Sequence, residues 1–257
     1  MGKESVMIDT IICGDCLEVM PTLEDKSVDM VLADLPYGTT KLKWDSLIPL
    51  DKLWGELSRI TKDDSALVFT SSQPFTTTLI ASNIKRFRYE WIWCRKRPAN
   101  FLTANYQPLK IHEDIAVFSQ RPATFTKQDR HMRYYPIKET IKHIIYRNKE
   151  TKSNVLSAYG GFSGIIPGGR VYKDKHPKSI IEFKSHNGSR YHPTQKPVAL
   201  FEYLIRTYTN EGDIVLDPTA GSGTTAVACH KLNRHYICIE KEPEYCVIAE
   251  KRISEML

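Results

Sequence analysis

The sequence predicts an α/β protein, with a mostly parallel sheet covered by helices on both faces. Three observations predict it. Apolar, β-branched runs ending in loop residues recur at 28–34, 66–71, 89–94, 114–118, 213–217 and 235–240, as strands do. Segments of helical period lie between several of them: Leu50, Leu53, Trp54 and Leu57 share one face, as do Leu200, Tyr203, Leu204, Thr207 and Tyr208. Strands alternating with helices are joined by crossovers, which makes neighbouring strands parallel and buries both faces of the sheet.

Length and composition set the frame for these elements. A chain of 257 residues is long enough for one α/β core with an insertion of its own, and a second independent domain is not expected. An apolar fraction of 41% and a charged fraction of 26% exclude disordered, collagenous and membrane classes. No apolar run reaches the length of a membrane span. The first ten residues hold Lys3, Glu4 and Asp9 where a signal peptide needs an apolar stretch, so a cytoplasmic location is expected. The six cysteines are then expected as reduced thiols. Cys13 and Cys16 have the spacing of a zinc knuckle, but no second pair follows to complete four ligands, so no metal is expected.

Charge is distributed unevenly along the chain. Residues 121–190 hold 15 Lys and Arg against 5 Asp and Glu, a local +10, which leaves −4 for the rest of a chain whose total is +6. Tyr134, Tyr135, Tyr146, Tyr159 and Tyr172 are interleaved with those cations, a pattern that suits a polyanionic partner. The strand–helix rhythm is lost in the same stretch. Five glycines and Pro167 between Tyr159 and Gly169 predict loop there. The expected organisation is therefore one domain, 1–120 with 191–257, carrying an insertion over 121–190.

Ligands of open parallel sheets bind outside the carboxyl ends of strands, so the strand-ending segments carry the chemistry. The first is Ala33-Asp34-Leu35-Pro36-Tyr37-Gly38. Pro36 pushes Leu35 towards an extended conformation and Gly38 permits an immediate turn, which leaves the Asp34 carboxylate and the Leu35 carbonyl off the sheet beside an aromatic ring. The second is Asp217-Pro218-Thr219-Ala220-Gly221-Ser222-Gly223-Thr224-Thr225, leading into a helix to about Leu232. Gly221 and Gly223 allow a sharp turn and close approach of a ligand to the backbone. A further strand ends in Glu240, 23 residues after Asp217, where an acid can hold both hydroxyls of a ribose. The third glycine of a dinucleotide fingerprint and the Lys of a phosphate loop are both missing. Acids at both strand ends suit a ribose-bearing ligand with positive charge, such as S-adenosylmethionine.

Taken together these segments resemble a known family. Asp34-Leu35-Pro36-Tyr37 is similar to the Asp-Pro-Pro-Tyr signature of DNA amino-methyltransferases, and residues 217–225 are similar to their Asp-Pro-Phe-x-Gly-Ser-Gly-Thr-Thr cofactor loop. The catalytic motif precedes the cofactor motif, the permuted order of the β-group. His192-Pro193-Thr194-Gln195-Lys196-Pro197 and Cys13-Gly14-Asp15-Cys16-Leu17 resemble two further motifs of that group. Two departures stand out: Leu35 replaces the first proline of the tetrad, and Thr219 replaces an aromatic residue expected over the cofactor.

The resemblance implies a Rossmann-like S-adenosylmethionine-dependent methyltransferase fold with 121–190 as the target recognition region. It implies methyl transfer to N6 of adenine in double-stranded DNA after base flipping; N4 of cytosine is the alternative because the scaffold is shared, and it ranks second because that pattern more often carries Ser in place of Asp34. Methylation of an RNA adenine is a more distant alternative. The catalytic set it implies is Asp34, Leu35, Pro36 and Tyr37, with Tyr37 stacked on the flipped base. The cofactor set is Asp15, Cys16, Asp34, His192, Thr194, Lys196, Asp217, Thr219, Gly221, Ser222, Gly223, Thr224 and Glu240. Arg95, Arg97, Arg170, Lys173 and Lys175 are expected against DNA, and Trp91 and Trp93 fall where the family contacts base or DNA. A bacterial or phage origin, a homodimer and a restriction endonuclease partner belong to the same expectation.

Overall fold

The computed structural model describes residues 8–39, 45–124, 130–140, 174–184 and 195–256. Two compact units emerge, Met1–Tyr135 with Ser179–Leu257, and Pro136–Lys178. In the larger, eight strands form one sheet. In chain order they are β1 (Thr10–Cys13), β2 (Val28–Asp34), β3 (Thr61–Ser71), β4 (Phe87–Ala99), β5 (Lys110–Phe118), β8 (Ile180–Glu182), β9 (Ile214–Asp217) and β10 (His235–Glu240). The smaller unit contributes β6 (Glu139–Thr140) and β7 (Asp174–Lys175), an antiparallel pair.

The large sheet runs β1-β10-β9-β2-β3-β5-β4-β8. All its described pairings are parallel except those of β5, which runs antiparallel to β3 and to β4. The carboxyl ends of the other seven strands therefore share one edge with the start of β5. Strand order reverses at the β2–β9 junction, so a crevice opens outside the ends of those two strands.

Helices cover both faces: α1 (Cys16–Val19), α2 (Leu50–Ile60) and α3 (Phe75–Ser82) on one, α4 (Val198–Tyr208) and α5 (Thr224–Lys231) on the other, with α6 (Pro243–Ser254) beside α5 against β1 and β10. The alternation within β2 explains the two-sided core. Val31 and Ala33 pack with Leu53, Leu57 and Phe69, whereas Met30 and Leu32 pack with Leu200, Leu204 and Ala226. Each such side chain contributes about 1.5–3 kcal/mol on burial. Asp34 follows Met30 and Leu32 in parity, so it faces the side from which α4 approaches.

Several elements differ from the expected ones. β3, β4 and β5 start earlier than expected and β4 runs further, to Ala99. β1 and β8 were not expected at all. Part of the expected 121–190 insertion also belongs to the larger unit, because Met132 and Ile181 are buried in the α4–α5 core. Arg133 helps to hold that part, pairing with Asp29, Asp64 and Asp213 at 2.8, 3.0 and 3.2 Å. The glycine-rich stretch lies outside the described residues. Among the described residues no helix is long and apolar enough to cross a membrane.

Candidate active site

A cavity of about 610 Å³ opens at the carboxyl edge of the sheet, lined by residues from every expected motif that is described. Asp34 stands at its centre. The Tyr37 hydroxyl and the Thr70 hydroxyl both donate to Asp34 Oδ1, at 2.6 and 2.5 Å, and Lys196 Nζ lies 2.8 Å from Oδ2. The same ammonium is 3.1 Å from Glu113 Oε2, and Glu113 Oε1 accepts from Arg95 at 2.9 Å. Arg95, Glu113, Lys196 and Asp34 thus form a chain of alternating charge that ends on the tetrad. Burial opposes the charge on Lys196, but Asp34, Tyr37 and Glu113 outweigh it and hold the ammonium well above the usual lysine range. Burial and the Asp34 charge push the Tyr37 phenol well up as well, so it stays a donor.

The segment after the tetrad folds around one carboxylate. Asp45 Oδ1 accepts the backbone N–H groups of Tyr37 and Gly38 at 2.7 and 2.8 Å, and Oδ2 accepts that of Thr39 at 2.8 Å. This fixes the tetrad's exit from β2, a role given on the sequence to Pro36 and Gly38. Tyr37 has partners of its own within the chain. Its ring stacks on Phe75, centroids 5.1 Å apart and planes at 24°, and its hydroxyl is engaged by Asp34.

Across the crevice the cofactor loop is tied to the tetrad, for the Thr219 hydroxyl donates to the Asp34 carbonyl at 3.1 Å. The residue that replaces the expected aromatic therefore joins the two motifs. Asp217 is buried at the end of β9 and accepts from Thr225 Oγ1 and from the Thr219 N–H. Burial pushes its carboxyl up to about 7, with Asp34 and Glu240 adding to the shift. Glu240, also buried, accepts the Gly221 N–H at 2.6 Å and the Glu242 N–H at 2.9 Å, and burial raises its carboxyl too. Among the described residues no ion pair reaches Asp217 or Glu240. Two buried acids that face the cavity and have no ion-pair partner among the described residues fit a ligand that brings positive charge and hydroxyl donors.

The remaining expected residues divide clearly. Asp15 caps α1 by accepting the Leu17 N–H at 2.9 Å and pairs with Lys241 at 3.0 Å, which lowers its carboxyl. Cys16 is buried beside it, its thiol pushed up to about 11 by burial. Both line the cavity, as do Gly221, Ser222 and Thr224; Ser222 also binds Arg252 of α6, and Gly223 begins α5. Lys196, just before α4, lines the cavity and is paired there with Asp34 and Glu113. Arg95 is turned inward to Glu113, not outward to a phosphate. Trp91 and Trp93 are core residues bonded to Tyr208 and to the Phe183 carbonyl, although Trp93 also touches the cavity. Lys175 is exposed on β7. His192, Thr194, Arg170 and Lys173 lie outside the described residues, as does the Arg97 side chain. Asp45, Thr70 and Glu113 were missed. Only Glu113 gave a signal, as an acid just before the apolar run 115–118.

Fold and site together define an α/β enzyme with a cofactor crevice at the sheet's switch point and a braced carboxylate beside it. The chain belongs to the N6/N4 DNA methylase family, whose model matches residues 28–251. It is 27% identical over 264 residues to the type II methyltransferase M.HpaI of Haemophilus parainfluenzae, covering 96% of this chain and 75% of that one. To M.HinfI of Haemophilus influenzae it is 26% identical over 285 residues, covering 100% and 72%. Among solved structures it resembles the cytosine-N4-specific PvuII DNA methyltransferase, with a TM-score of 0.66 and 16% identity over 97% of this chain and 88% of that one. It also resembles M1.HpyAVI in complex with SAM, with a TM-score of 0.59 and 21% identity over 95% and 98%.

Proposed function

We propose that this DNA methylase transfers the methyl group of S-adenosylmethionine to N6 of adenine in double-stranded DNA, after the base has been extruded from the duplex. The observation that carries the reading is the shared cavity: braced Asp34 on one wall, Asp217 and Glu240 without cations on the other. Asp rather than Ser at position 34 favours adenine over N4 of cytosine. Asp217, Gly221, Ser222, Glu240, Asp15 and Cys16 would hold the cofactor, which supplies an electrophilic methyl group on a sulfonium.

An exocyclic amine is a poor nucleophile because its lone pair is delocalised into the ring, and in a duplex the base is also paired. Asp34 and the Leu35 carbonyl accept the two amino hydrogens, which localises the lone pair on nitrogen. Lys196 stays paired with the Asp34 carboxylate at 2.8 Å. As the amine approaches, Glu113 can carry more of the ammonium's charge, so Asp34 gains an amine donor while every buried charge keeps a partner. The Asp34 carboxylate then stabilises the positive charge that develops on the amine before it loses a proton, and positioning and electrostatics supply the catalysis. A base stacked on Tyr37 uses the ring face away from Phe75.

The proposal places the activity in a bacterial or phage-infected cytoplasm with duplex DNA as partner. Arg97, Arg170, Lys173, Lys175 and other cations of 121–190, Arg133 excepted, contact DNA in this scheme, and a homodimer and a restriction endonuclease are partners to test. Digesting DNA methylated by the enzyme to nucleosides tests the base assignment. N6-methyladenosine is expected as its deoxy form; N4-methyldeoxycytidine alone would overturn it.

A further inference from the structure

The β4–β5 hairpin leaves the sheet at the catalytic edge. Trp93 and Arg95 on β4 and Glu113 on β5 line the cavity, and the β4–β5 pairing runs on to Ala99 and Lys110, past the end of β3 where Ser71 pairs with Asp114. Past those residues, the loop 100–109 projects with Phe101 66%, Leu102 99% and Tyr106 88% exposed. Large apolar side chains gathered at one tip in water are costly to maintain and mark a surface that is covered in use.

The tip is also built to keep its shape. Asn100 sits in the left-handed region at φ 58°, its amide donating to Thr103 Oγ1 at 3.1 Å and to the Pro108 carbonyl at 3.3 Å, while its oxygen accepts the Lys110 N–H at 2.7 Å. Gln107 Nε2 donates to Thr103 Oγ1 at 2.7 Å, and a 3-10 turn spans Phe101–Thr103. The polar side chains staple the loop inward, which leaves the apolar ones facing out. Cations outnumber acids around the tip: residues 91–112 contain Arg95, Lys96, Arg97 and Lys110 and no Asp or Glu, while Glu113 pairs with Arg95 and Glu182 with Lys96, which leaves a net positive charge.

An apolar point set in a positive surround matches a polyanion with an apolar interior, and duplex DNA has phosphates outside and stacked bases within. We propose that Phe101, Leu102 and Tyr106 form a wedge that enters the DNA stack and fills the space left by the base drawn into the cavity. The inference rests on the methyltransferase reading above and names the surface that makes base extrusion affordable. A preformed apolar wedge replaces part of the stacking lost when a base leaves the helix.

The test compares two duplexes carrying the site mapped by sequencing DNA that the parental enzyme has methylated. One is fully paired; the other has an abasic position opposite the methylated base, which removes the pairing that must be broken. Leu102→Ala and the double variant Phe101→Ala/Leu102→Ala should methylate the paired duplex at least about tenfold more slowly than the parent, and the abasic duplex at nearly the parental rate. Their exposure makes misfolding a poor explanation for a loss, and methylation of the abasic duplex reports an intact cavity. Equal loss on both duplexes, or no loss on either, would overturn the wedge. Failure of the methyltransferase reading shows elsewhere, as an inactive parent or as an Asp34→Ala enzyme that methylates both duplexes.

Discussion

Asp34 and Asp217 end neighbouring strands of one sheet, and their surroundings set them different tasks. Three donors hold the Asp34 carboxylate, one of them a buried ammonium. Asp217 has only a hydroxyl and a backbone N–H among the described residues, and burial pushes its carboxyl up from 3.8 to about 7. Between those two values the folded state binds a proton that the unfolded chain releases, so this group's contribution to stability is greatest at low pH and declines as pH rises through the window. A cationic ligand beside Asp217 favours the ionised form and displaces that proton. S-adenosylmethionine binding by calorimetry should therefore tighten by roughly tenfold from pH 6 to pH 8, with proton release below pH 7, and Asp217→Asn should bind more weakly and lose this dependence. An undiminished pH dependence in that variant would place the titrating group elsewhere.

At the scale of elements, the cofactor loop works because α5 starts almost in contact with α6. Gly223 begins that helix at φ 76°, and a Cβ there would lie 2.8 Å from the Ala249 Cβ and 3.2 Å from its Cα. Gly223→Ala adds left-handed strain to a clash with a helix backbone, so urea unfolding should show a loss of about 2–4 kcal/mol. A loss under about 0.5 kcal/mol would mean that α6 yields easily.

The same loop shows what was legible in the sequence. Two glycines and an acid at a strand end are a local pattern, and they placed the turn, the helix and Glu240 correctly. The partners of Lys196 could not be read that way. Resemblance put it near the cofactor, but the register that brings it against Asp34 on β2 is a tertiary fact. Thr70 and Glu113 reach Asp34 and Lys196 through strand pairings 36 or more residues apart in the chain, and no local pattern encodes them. β1 and β8 escaped notice for a different reason, being four and three residues long with too little sequence to show a period.

Over the whole molecule, one edge of one sheet collects everything the chemistry needs. The ends of β2, β9 and β10 bring the acids, the start of β5 brings Glu113, and the hairpin between β4 and β5 brings an apolar tip to the same side. The fold class was legible because alternation of strand and helix is a property of the entire chain. The meaning of the +10 over 121–190 was less so, since Arg133 is committed to Asp29, Asp64 and Asp213 inside the larger unit. What unites these parts is the claim that Asp34 acts on the amine in the methyl-transfer step. Single-turnover methylation by the Asp34→Asn and Asp34→Ala enzymes, with DNA binding measured in parallel, tests that claim most directly. Asn keeps one acceptor oxygen but no charge and Ala keeps neither, so the rate should fall in the order Asp, Asn, Ala, by about two orders of magnitude or more for Ala, while DNA affinity changes little. An Asp34→Ala enzyme that methylates at nearly the parental rate, or one that loses DNA binding in proportion to activity, would contradict the account.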